Sequence, residues 1–261
     1  MNWKHTKTLF IFVFILVNIS LIIIYIDKVN KSHINDSADE NAVNFKQEKI
    51  EIPENLPSVK NIEMQLLTAR SNDFSSYAKA RSSITSEEDG QKIKGEINDP
   101  IDVGNDQYTD LKSYVKDKIF KGQNYEMSKI DDKNVTFEQT YNDFPIMNNS
   151  KAQLKFNIND DGKASSYRQT AMKSIEPSEG ANNDKKQVNT AKSAIEALYY
   201  NHRYLKRNDE VTNVRLGYYT VVKEPNVQVL EANWEIKVKH KDESKTYYVE
   251  AISDSPKIVE E

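Results

Sequence analysis

The chain has 261 residues, 38% hydrophobic, 29% charged and 10% aromatic, the balance of a folded protein rather than a disordered or collagen-like one. Cysteine is absent, which excludes disulfide staples, thiolate metal sites and a cysteine nucleophile. Net charge is −4, and setting aside Lys4 and Lys7 leaves 34 of the 36 basic residues against 40 acids, so no basic face for nucleic acid is expected.

Leu9 to Ile26 reads LFIFVFILVNISLIIIYI, an uncharged run just long enough for a helix to cross the hydrocarbon. Trp3 and Tyr25 lie near its two ends, where amphipathic rings favour the headgroup region. A cleaved signal peptide would have a shorter apolar run and small residues at its end, whereas Tyr25-Ile26-Asp27-Lys28 is bulky and charged. The reading is an uncleaved transmembrane helix over 9–26, with residues 1–8 as a cytoplasmic tip by the positive-inside tendency. Asn18 either hydrogen-bonds a partner helix or is a tolerated polar residue.

Residues 27–46 form a solvated linker, with almost no large apolar residue from Asn30 to Asn44. Pro53 and Pro57 then punctuate an extended lead-in, and Met64 to Leu67 is a short apolar segment, strand or helix by pattern alone. Asp73-Phe74-Ser75 is placed to cap a short helix through Arg81, and Ser86 to Gly90 reads as a turn. Leu111, Val115 and Ile119 recur four apart before Gly122, which predicts a helix and its stop.

Strands follow at Asn134–Tyr141, with Val135, Phe137 and Gln139 on one face, and at Ala152–Ile158, with Pro145 between them. Asn159-Asp160-Asp161-Gly162 is a hairpin turn, returning through Ala164–Met172. The polar stretch Pro177 to Lys186 divides the chain into units 47–176 and 177–261. In the second, Val188, Ala191, Ile195, Leu198, His202 and Leu205 form one face of a long helix starting near Asp184 or Asn189. Strands are expected at Val211–Val222, Val227–Lys239 and Lys245–Ile252. Alternation puts Trp234, Ile236 and Val238 in a core and Glu235 and Lys237 in water. The fold class is α+β, a transmembrane helix followed by two units, each a helix packed on an antiparallel meander.

The sequence offers no catalytic, cofactor-binding or metal-binding residues. His5 precedes the span, His33 lies in the linker, His202 reads as packing and His240 as an exposed strand end. No phosphate loop or nucleophile elbow occurs, Asp131-Asp132 and Asp160-Asp161 read as turns, and Glu235 and Glu250 are expected to face solvent. The tyrosines Tyr199-Tyr200, Tyr204, Tyr218-Tyr219 and Tyr247-Tyr248 fill the second core or form a partner surface.

Three stretches carry a family resemblance: Asn2-Trp3-Lys4-His5-Thr6-Lys7-Thr8 running into the apolar helix, Tyr141-Asn142-Asp143-Phe144-Pro145-Ile146, and Asn233-Trp234-Glu235-Ile236 with Tyr247-Tyr248-Val249-Glu250-Ala251. With them the whole chain resembles the YycI family, the smaller members of the YycH/YycI regulatory pair; the style of the terminal strands is shared with PepSY-like domains. The resemblance implies a cell-membrane protein of a Gram-positive bacterium, single-pass, with an extracytoplasmic carboxy-terminal domain. It also implies association with a YycH-type protein and with the essential sensor histidine kinase governing cell-wall metabolism, and no catalytic residues. The function expected is a non-enzymatic accessory regulator; the alternative is an extracytoplasmic PepSY-like protease-inhibitor or chaperone module.

Overall fold

The computed structural model describes residues 7, 11, 13–22, 43–104, 108–180, 183–201, 204–224 and 226–261. Most of the tip 1–8, the linker over 27–42, and His5, His33 and His202 lie outside the described residues. Residues 13–22 are helical (α1), and their large apolar side chains are 47–69% exposed on every side of the helix. Among the described residues no helix is long and apolar enough to cross a membrane, and the rest of the span expected over 9–26 falls on undescribed positions. The Asn18 amide donates to the Phe14 carbonyl at 2.7 Å, one turn back in its own helix.

Beyond α1 the chain is α+β, with antiparallel sheets and few helices. In chain order come β1 (Glu63–Met64), β2 (Leu67–Ser71), α2 (Ser75–Lys79), β3 (Ile84–Glu87), β4 (Lys92–Asp102) and α3 (Thr109–Lys118). Next are β5 (Tyr125–Asp131), β6 (Asn134–Tyr141), β7 (Phe144–Pro145), β8 (Gln153–Ile158), β9 (Lys163–Thr170), β10 (Met172–Pro177) and β11 (Lys186–Gln187). The remainder is α4 (Ala191–Tyr200), β12 (Glu210–Lys223), β13 (Val227–His240), β14 (Glu243–Glu250) and β15 (Ile258–Glu260).

A seven-stranded sheet runs β3-β4-β9-β8-β6-β5, with β7 on β6. It packs on α3 through Leu111 and Val115, with Ile119 just past the last turn, against Val135, Phe137, Leu154 and Phe156. The β8–β9 hairpin turns where Asp160-Asp161-Gly162 was expected to turn, with Gly162 at φ +72°, where a side chain would be strained.

The second sheet has six strands: β13 lies between β12 on one edge and β14 and β2 on the other, β15 extends from β14, and β10 from β2. It therefore does not follow the chain-order units 47–176 and 177–261. Strand β2 and all but the last residue of β10 precede residue 177 yet pair here, and Phe45, Ile50, Val59 and Met64 pack in the same core as Trp234. The seven-stranded layer is thus a long excursion between β2 and β10, and Val43 and Phe45, inside the segment expected to be linker, pack on the core of the other sheet.

The helix of this half is shorter than its apolar spacing predicted. Thr190 is its cap, accepting the Ser193 N–H at 3.1 Å, and the helix ends at Tyr200. Val188 and Leu205 are buried but lie outside it. Trp234, Ile236 and Val238 are buried beneath α4 as alternation required. Burial of their opposite face is what alternation could not show.

Candidate functional site

Where the two sheets meet, a set of polar side chains is buried that no rule of alternation would place inside. The junction starts at the turn between β6 and β7, where Asn142 and Asp143 both take positive φ (50° and 66°), a backbone that suits a tight right-twisted hairpin and that Asn and Asp tolerate best. The chain then leaves its own sheet and lies along β12. Ile146 bridges Tyr218 in parallel, and the Met147 N–H donates to the Tyr218 carbonyl at 2.8 Å. Gly217 makes this approach possible, since a Cβ there would stand 2.5 Å from the Pro145 carbonyl oxygen and 2.9 Å from Met147 Sδ. Further along, the Asn149 amide donates to Thr220 and, at 3.2 Å, to Gln228 Oε1.

On that face of the six-stranded sheet, register sets Arg215, Glu235 and Tyr248 side by side across three strands. Arg215 Nε and Nη2 donate to the two carboxylate oxygens of Glu235 at 2.9 and 2.7 Å, a bidentate fork. Its Nη1 crosses to Glu138 Oε2 of β6 at 2.7 Å. Glu138 also accepts the Asn148 N–H at 2.8 Å, and Glu235 accepts the Tyr248 hydroxyl at 3.2 Å. Glu235 is 2% exposed and Glu138 5%, so both carboxylates lie in low dielectric, with Lys237 Nζ 3.8 Å from Glu235. Burial alone would pull the Arg215 guanidinium down, but the hydrogen bonds and charges of Glu235 and Glu138 outweigh it and push it up.

Tyr219 and Tyr248 stack beside the clamp, ring centroids 4.2 Å apart and planes 22° from parallel, with Met147 packed on them. The Tyr219 hydroxyl donates to Glu261 Oε1 at 3.0 Å, and burial followed by that carboxylate pushes its phenol up to about 12.

The residues singled out by sequence thus divide. Tyr218 and Tyr247 face the core under α4, and their neighbours Tyr219 and Tyr248 face the junction, so both members of each strand pair are buried. Tyr200 is 47% exposed. Glu235 does not face water: the seven-stranded sheet lies over that side of β13 and Arg215 supplies its counter-charge. Glu250 is half-buried and accepts the Lys257 N–H at 3.3 Å. Asp131 accepts from Lys133 and Asn134 within its turn. His240 is exposed at the end of β13, paired with the buried Asp209. Arg215 itself was missed; its signal was a lone charge between the buried Val214 and Leu216 in the middle of a strand.

Among the described residues no group of three or more His, Asp and Glu is arranged to hold a metal ion. The charged donors and acceptors of the junction engage one another, which ties the two sheets together. The class defined by this geometry is an α+β scaffold of two sheets locked by a buried ionic clamp.

The family model described as YycI protein matches residues 29–252, and the chain belongs to that family. It is a regulatory family of two-component systems, associated with the membrane and with histidine-kinase control. The stretch Tyr141–Ile146 quoted for the resemblance is the turn and strand that carry one sheet onto the other. No curated protein matches the chain. An uncharacterized protein from Eubacterium rectale ATCC 33656 is similar at a TM-score of 0.49 and 8% identity, over 80% of this chain and 90% of that one. The Bacillus megaterium YpeB C-terminal domain is similar at 0.35 and 14%, over 77% and 91%.

Proposed function

We propose that the chain is a non-enzymatic accessory regulator of a cell-wall-sensing histidine kinase, acting with a YycH-type partner through transmembrane and extracytoplasmic contacts. The observation that carries this reading is the family match over residues 29–252. Two features support it. The apolar side chains of α1 are exposed on all sides, a surface that suits lipid and neighbouring helices. The two sheets are clamped into one body, and a regulator of this kind biases a kinase only if it binds one signalling state better than the other. The domain sits outside the cytoplasm, with the tip inside and residues 9–26 crossing once.

The test is deletion and complementation. Removing the protein shifts transcription of the kinase's target genes in one direction, and the full-length chain restores it. Full-length chain purified from membranes brings the kinase and the YycH-type protein with it. Unchanged target transcription under growth and under wall stress, with neither protein recovered, sinks the proposal.

A further inference from the structure

Between α4 and the connection from β14 to β15 runs a groove enclosing about 90 Å³, with α4 as one wall and Ser253 to Pro256 as the other. Its floor is apolar, made by Ala194, Ala197 and Val249, and its rim carries three carboxylates, Glu196, Glu250 and Asp254. Among the described residues no Lys or Arg lines it. Lys192 flanks it, 3.8 Å from Glu196 Oε1, and Lys257 flanks the far end, near Glu250 and Glu231. Glu196 Oε1 is buried with the Lys192 ammonium near it, and the rest of the carboxylate side chain, 14% exposed, is what faces the groove.

The walls are fixed before anything binds. The Asn189 N–H donates to the Ala251 carbonyl at 2.8 Å, its amide donates to the Ser253 carbonyl at 2.8 Å, and its own carbonyl accepts the Trp234 indole N–H at 3.0 Å. One end is closed by Tyr200, the exposed member of the tyrosine group that the core does not absorb.

We infer that this groove docks an extended segment of a partner protein through a lysine or arginine side chain. The aliphatic stem lies on the alanine and valine floor, and the cationic head reaches the carboxylates beside the Tyr200 ring. The local field is negative: burial and then Glu196 raise the Tyr200 phenol, and burial and then Glu250 raise the Glu231 carboxyl. A bare divalent cation fits less well, because it needs many oxygens converging on one point and these carboxylates are spread along a rim. The inference deepens the reading of the chain as a protein-binding regulator, and its test reads binding alone, so failure of kinase regulation and failure of the groove are separate results.

The experiment uses the full chain in detergent micelles and a fluorescent hexapeptide alternating alanine and lysine, followed by anisotropy, with an alanine–glutamate hexapeptide as comparison. The lysine peptide saturates and the glutamate peptide does not. The double variant E196Q/D254N weakens the lysine peptide about tenfold, the size expected when two charge pairs are removed together. The matched double variant D160N/D161N, at an exposed hairpin far along the chain, changes it less than about twofold. Melting curves confirm that both variants fold. Equal loss in the two variants, no saturable binding, or displacement of the peptide by stoichiometric calcium overturns the inference.

Discussion

Arg215 Nη1 lies 2.7 Å from Glu138 Oε2, and that contact joins the charge row of one sheet to β6 of the other. The guanidinium already holds Glu235 in a bidentate fork, so one cation serves two carboxylates that are almost wholly buried. Truncating Arg215 to alanine strands both acids in low dielectric. Loss of one member of a buried pair typically costs about 3–5 kcal/mol, and Arg215→Ala is expected to fall in that range by denaturant unfolding. Glu235→Ala, which alternation alone marks as harmless, is expected to cost about 1–3 kcal/mol, since Tyr248 and Arg215 each lose an acceptor. A double-mutant cycle between the two gives a coupling above about 0.5 kcal/mol; strict additivity would show that the fork contributes nothing.

Gly217 tests the sheet junction without touching charge. A methyl group there meets the Pro145 carbonyl oxygen, which is backbone, and the side chain of Met147, which is fully buried, so there is little room to give. Overpacking of this kind costs about 1–3 kcal/mol. Gly217→Ala is therefore expected to melt lower and to expose the Phe144–Ser150 segment to limited proteolysis. A variant that melts and digests like the parent would mean that the strands separate at little cost.

The tyrosine pair makes stability fall at alkaline pH. Burial, then the hydrogen bond and charge of Glu261, hold the Tyr219 phenol at about 12, while an unfolded tyrosine ionises near 10. The unfolded chain sheds its proton first as pH rises, so it binds fewer protons than the native chain above pH 10, and stability falls with pH. The contribution is complete below pH 10 and gone once the pH has passed about 12. Burial, followed by the neighbouring carboxylates, raises Tyr248 in the same direction. Tyr219→Phe should flatten the slope of melting temperature against pH between 10 and 12; an unchanged slope places the titrating group elsewhere.

Strands with regular alternation were legible in the sequence: β6, β8, β9 and β12 to β14 lie within a few residues of their expected positions. Strands β4 and β5 were not. Lys92–Asp102 offers only Ile93, Ile97 and Ile101 among charges, glycine and proline, and Tyr125–Asp131 is an edge strand whose outer side needs no apolar residue. Alternation assigns one face of a strand to a core but leaves open whether the other meets water or a second layer. For β13 it met a second layer, which is why Glu235 was misplaced and why Arg215 escaped notice. The pairing of β10 with β2 and of β2 with β13 was illegible for a different reason, because it depends on contacts more than a hundred residues apart.

The apolar segment 9–26 gives a prediction that separates two kinds of contact. Because the Asn18 amide donates to the Phe14 carbonyl within its own helix, Asn18→Leu is expected to weaken regulation less than replacing the whole span does. Replacing residues 9–26 by an unrelated apolar span should preserve membrane location and weaken regulation, since lipid solvates any apolar helix equally and pairing depends on side-chain shape. Reporter expression from kinase target promoters is the readout. Full regulation by the replaced span would place the working contacts in the folded domain.

Trp234 occupies the centre of the six-stranded sheet, with no exposed surface, packed with Ile195 and Leu198 of α4 in one core. Its indole N–H also holds the Asn189 carbonyl at 3.0 Å, just before the helix cap at Thr190. Two losses are therefore combined in Trp234→Ala: a large cavity, and an acceptor left without its donor. Truncating a buried tryptophan costs about 3–5 kcal/mol, a large part of the roughly 5–15 kcal/mol that holds a domain together. The variant is expected to lose cooperative melting, and regulation with it. Trp234→Phe keeps much of the volume and gives up only the hydrogen bond, so it should melt between the two and retain partner binding. If Trp234→Ala melted like the parent yet no longer bound, the tryptophan would be acting at an interface, and its place under α4 would be wrong.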